Sequence, residues 1–131
     1  MSIAENLLRL HRWQLDERRR HLAELESLGA RLRADLERLT AHIDEDARIR
    51  QRAGQDIAAP RPFGEQLAER RNKLDRSIGE IETQITEARA EVTAAESELG
   101  RHELAAAHRA STIIRRTRRA RSLVPRSLQT P

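Results

Sequence analysis

The segment His102-Glu103-Leu104-Ala105-Ala106-Ala107-His108 comes closest to a chemical motif. Zinc hydrolases set two histidines four residues apart on a helix, so that both imidazoles share one face beside a carboxylate. Here the histidines are six apart, which places them about 240° round a helix and turns them away from each other. That spacing does not hold an ion. The chain also has no Gly-rich phosphate loop, no nucleophile beside a base and no carboxylate pair that a cleft would bring together. With no cysteine either, the expectation is a protein without catalytic residues, cofactor or metal site.

The remaining residues that could do chemistry are cations and two aromatic rings. Arg115-Arg116-Thr117-Arg118-Arg119-Ala120-Arg121 could bind nucleic acid or an anionic membrane. It has no interleaved aromatics and no amphipathic face, so the segment reads as a non-specific or irregular basic tail. Arg9, Arg12, Arg18, Arg19 and Arg20 surround the single tryptophan, Trp13. Charges alone make an ordinary solvated face, in which Asp16 and Arg20 have i,i+4 spacing. With Trp13 and Leu10 among them, these residues become a candidate partner surface. His11 and His102 read as half-buried seam residues that could respond to pH. Phe63, after Pro62, is expected to fold back over the end of the seam.

The elements that position these residues follow from the apolar spacing. Leu8, Leu15, Leu22, Leu36 and Ile43 recur at heptad position a, and Leu25, Leu32 and Leu39 at d. Trp13 then falls at f, the side away from a partner helix. Ser2 and Glu5 have capping-box spacing, so the first helix is expected from about residue 3 to 52. Gly54, Pro60, Pro62 and Gly64 mark a turn at about 53–64. A second ladder follows over about 65–120. Ile78, Ile85, Val92, Leu99, Ala106 and Ile113 are at a, and Leu67, Leu74, Ile81, Ala88 and Ala95 at d. Residues 121–131 are expected to form a basic disordered tail.

Two stripes joined by one turn predict an all-α antiparallel coiled-coil hairpin. One register pairs residues whose numbers sum to 117. It sets Leu39 against Ile78, Leu25 against Val92, Gly29 against Ala88, Asp46 against Arg71 and His11 against Ala106. Moving by one heptad would place Arg71 against Leu39 and bury a charge, so the first register is preferred. Arms of about 50 residues at about 1.5 Å rise imply a rod of roughly 75 Å. Its seam is apolar between Leu22 and Ile43 and becomes polar toward the end carrying both termini. That open end is expected to be loose until a partner covers it.

Composition agrees with long helices. The chain has 131 residues, 35% charged, with one Trp, one Phe and no Tyr, too few bulky side chains for a conventional globular core. The net charge of +4 is uneven. Residues 101–131 hold eight arginines against the single acid Glu103, whereas residues 1–100 are mildly acidic. No stretch is apolar enough to span a membrane. No signal-peptide pattern opens the sequence, and absent cysteines fit a cytoplasmic location.

The stretch Leu7-Leu8-Arg9-Leu10-His11-Arg12-Trp13-Gln14-Leu15-Asp16-Glu17-Arg18-Arg19-Arg20-His21-Leu22-Ala23-Glu24-Leu25-Glu26 resembles the start of the FliJ family of the flagellar type III export apparatus, particularly its alphaproteobacterial members. Over residues 65–105 the resemblance is architectural. It implies a non-enzymatic stalk, similar to the central shaft of rotary ATPases, that enters the export ATPase ring with the end bearing the termini. The stalk links that ring to the membrane export gate and handles export chaperones. The implied location is cytoplasmic, peripheral at the cytoplasmic face of the inner membrane. The Arg-rich segment from about Ser111 departs from the family's expected C-terminus. The alternatives are a nucleic-acid-associated coiled coil using residues 115–121, and a generic oligomeric scaffold.

Overall fold

The computed structural model describes residues 2–55 and 62–123. The architecture is all-α: α1 (Ile3–Arg52, 50 residues) and α2 (Pro62–Leu123, 62 residues) make an antiparallel helical hairpin. Half of the expected turn (56–61) and the last eight residues of the expected tail lie outside the described residues.

The ends of α1 are set by local hydrogen bonding. Glu5 N donates to Ser2 Oγ at 3.1 Å, and Ser2 N donates to Glu5 Oε2 at 3.3 Å. This reciprocal box satisfies two donors that helix geometry leaves without partners. At the other end Gly54 adopts φ of 73°, a left-handed conformation that costs a glycine little. There Gln55 N donates to the Arg50 carbonyl and Gly54 N to that of Gln51, the two bonds of a Schellman stop. Helix α2 opens on Pro62, whose missing N–H costs nothing in a first turn. Phe63 and Gly64 therefore belong to α2, and the connection is shorter than the expected 53–64.

The chain divides into two compact units. The first comprises Arg19–Glu91. Its centre is a cluster of Leu25, Ile81, Ile85 and Ala88, against which Leu22 and Leu32 pack. Leu39 and Leu67 are also buried. Ion pairs flank this seam. Arg33 Nη2 lies 3.0 Å from Glu82 Oε1, and Arg89 Nε lies 3.9 Å from Glu26 Oε1. As numbers rise along α1 they fall along α2, which fixes the antiparallel sense.

The register differs from the expected one. A Cβ placed on Gly29 would meet Ile85 Cδ1 at 3.3 Å and Ile81 Cγ2 at 3.6 Å, so Gly29 faces Ile81 and Ile85 rather than Ala88. Ile81 is the partner that the heptad-shifted register assigns. Packing explains the choice. Gly against Ala would leave a void, whereas the missing Cβ of Gly29 makes a notch that two isoleucines fill. This register does not bury the Arg71 charge, because Arg71 is half-exposed. A two-helix seam is open on both flanks, and a long Arg stem can lie along it with its guanidinium in water.

The second unit comprises the segments up to Arg18 and from Val92. Leu15 and Val92 are its buried apolar residues among those described. His11 meets His102 rather than Ala106: their rings stack with centroids 4.1 Å apart and planes 18° from parallel. Arg12 approaches Glu103 at 3.8 Å.

Candidate functional site

Trp13 is 60% exposed on α1 and Leu10 47%, as position f and its neighbour require. Arg9, Arg12, Arg18, Arg19 and Arg20 are all exposed. They do not make one patch. At about 100° per residue, Arg9, Leu10 and Arg20 lie within roughly 60° of Trp13. Arg12 and Arg19 lie about 100–120° away, and Arg18 about 140° round, on the seam side. Arg12 instead reaches Glu103 on α2 and borders a groove with Glu5, Leu8 and Arg9. The surface carried by the indole is thus Trp13, Arg9, Leu10 and Arg20, an apolar ring edged by cations.

Arg115, Arg116, Arg118, Arg119 and Arg121 are helical and exposed. The expected irregular tail does not begin before Leu123. Helical spacing spreads these cations round α2 instead of gathering them in a stripe. Exposed Ile113 and Ile114 lie among them. Phe63 stands edge-on to His42, ring centroids 6.4 Å apart, yet is 53% exposed. It covers the seam only in part.

The structure also assembles a group that sequence reasoning left apart. Glu98 and His102 sit one turn apart on α2, with His102 Nε2 3.1 Å from Glu98 Oε1. Arg101 reaches the same carboxylate. The His102 hydrogen bond, then the Arg101 charge, holds the Glu98 carboxyl below the usual carboxylate range. His11 closes the group from α1, and one ligand atom from each of the three side chains lies within 4.8 Å of the others. The sequence signal was the i,i+4 spacing of Glu98 and His102. The expected register hid the rest by placing His11 opposite Ala106.

No known protein family, curated protein or solved structure matches the chain.

Proposed function

We propose that this protein is a non-enzymatic stalk of the flagellar protein export machinery, linking the export ATPase ring to the membrane export gate and assisting chaperone and substrate handling. The observation that carries the reading is Trp13, an indole 60% exposed within the Leu7–Glu26 block that resembles the FliJ family. Leaving so large an apolar ring in water favours a partner that covers it. Any ATP chemistry belongs to that partner, which the hairpin biases through contact. A position peripheral to the membrane accords with the described helices, none of which is long and apolar enough to cross a bilayer.

The test is a pull-down of the flagellar ATPase and of the export gate protein by the wild-type chain and by Trp13→Ala. The variant is expected to retain its helical circular dichroism and melting profile, because position f lies off the seam, while binding at least one partner several-fold more weakly. Undiminished binding to both removes the surface from the proposal.

The exposed arginines of α2 favour one second reading, a nucleic-acid-associated hairpin. Phosphate binding through Arg115, Arg116, Arg118, Arg119 and Arg121 would fall steeply as salt rises, in proportion to the phosphates neutralised. It would vanish on truncation before Arg115. Salt-insensitive binding, or none, leaves the stalk as the better reading.

A further inference from the structure

We propose that His11, Glu98 and His102 form a site for one divalent transition-metal ion of the zinc class, joining α1 to α2. Two imidazoles and a carboxylate are the donor set that borderline-soft ions such as Zn²⁺ prefer, with water completing a tetrahedron. Glu98 and His102 are already brought together by a hydrogen bond, whose proton an ion would displace. Their 3.1 Å separation matches the spacing of about 3.3 Å between two donors held at about 2.0–2.1 Å on one tetrahedral ion. The ligand atom of His11 lies within 4.8 Å of both others, so a side-chain movement of an ångström or two, on the order of the gap to a shared-ion spacing, brings it in. Its ring now stacks on that of His102. Coordination turns one ring out of the stack, because in-plane lone pairs have to converge on the ion. All three side chains are half-buried, so an ion can enter from solvent and remain partly shielded from it.

An ion held here clamps two helices in the unit whose described apolar core is Leu15 and Val92. It binds the folded hairpin and not the unfolded chain, so it stabilises the fold by mass action. This inference is independent of the partner surface on Trp13.

The experiment titrates the full chain with Zn²⁺ by calorimetry and with Co²⁺ by visible absorption, and follows melting with and without Zn²⁺. Wild type is expected to bind one equivalent, to give the d–d bands of tetrahedral cobalt and to melt higher with zinc. His11→Ala and His102→Ala should each weaken binding at least tenfold and abolish the zinc-dependent shift. Glu98→Gln, at a half-exposed position, should weaken binding while leaving helicity unchanged. His21→Ala, His42→Ala and His108→Ala should behave as wild type. Binding that is undiminished in His11→Ala or in Glu98→Gln, or that fails in His108→Ala, overturns the site, as does a wild-type chain that takes up no metal.

Discussion

Single residues in a hairpin this thin act through backbone preference and local charge more than through burial. Gly54 and Gly79 make the contrast. Gly54 has a left-handed φ of 73°, whereas Gly79 is in mid-helix with nothing within 4 Å of an added Cβ. Gly79→Ala should therefore gain about 1 kcal/mol from helix propensity. Gly54→Ala should lose about 1 kcal/mol to left-handed strain, both read by urea unfolding. Equal effects at the two positions would contradict the stop at the end of α1. Glu98 gives the electrostatic case. Its carboxyl is held below the usual range by the His102 hydrogen bond and then by Arg101. A depressed folded value means the folded state releases the proton first. The resulting stability is present above the unfolded value and is lost as pH falls through the folded one. Melting followed into acid in metal-free buffer should show wild type losing its advantage over Glu98→Gln below the ordinary carboxylate range. A constant difference would show that the contact contributes nothing.

At the scale of the elements, the period of the apolar residues was legible and the pairing between ladders was not. Leucines and isoleucines at a and d specify a helix face, and Ser2 with Glu5 specifies where α1 starts. The outward position of Trp13 follows from the same frame. Register depends on shape, which a heptad count does not see: sliding by one heptad keeps every a and d residue on the seam. What decides is the fit of Gly29 against Ile81 and Ile85, together with the freedom of Arg71 to reach water. The candidate surface was legible as residue types, but helical angles divide its arginines between faces. The His11–Glu98–His102 group was illegible without the register. A substitution tests that register directly. Gly29→Leu should destabilise the hairpin by about 1–3 kcal/mol through overpacking, and Ile85→Ala in the same chain should relieve part of that loss. Were Gly29 opposite Ala88, the new leucine would fill a void and raise stability, so the sign of the change decides.

For the whole molecule, apolar burial is concentrated within one unit. Leu25, Leu39, Leu67, Ile81, Ile85 and Ala88 are buried in the unit spanning Arg19–Glu91, whereas Leu15 and Val92 are the buried apolar residues described in the other. A fully buried aliphatic side chain contributes about 1.5–3 kcal/mol, so the two units should open with different free energies. Ala4, Leu8 and Ala106 are only half-buried, and Leu104, Ile113 and Ile114 are exposed. Helical hydrogen bonds in that unit are thus supported by little packing, and isolated helix is marginal without it. Native-state amide exchange should find Leu25, Leu32 and Ile85 protected nearly to the global unfolding limit, with Leu8 and Leu104 exchanging through smaller openings. Such an order suits the partner binding proposed for Trp13, since the segment carrying it can adapt while the unit spanning Arg19–Glu91 stays folded. A partner that covers Trp13 should slow exchange at Leu8 and leave Leu32 unchanged, because only the less protected unit has stability to gain. Equal protection at Leu8 and Leu32 in the free chain would mean that the terminal segments need no partner to be firm.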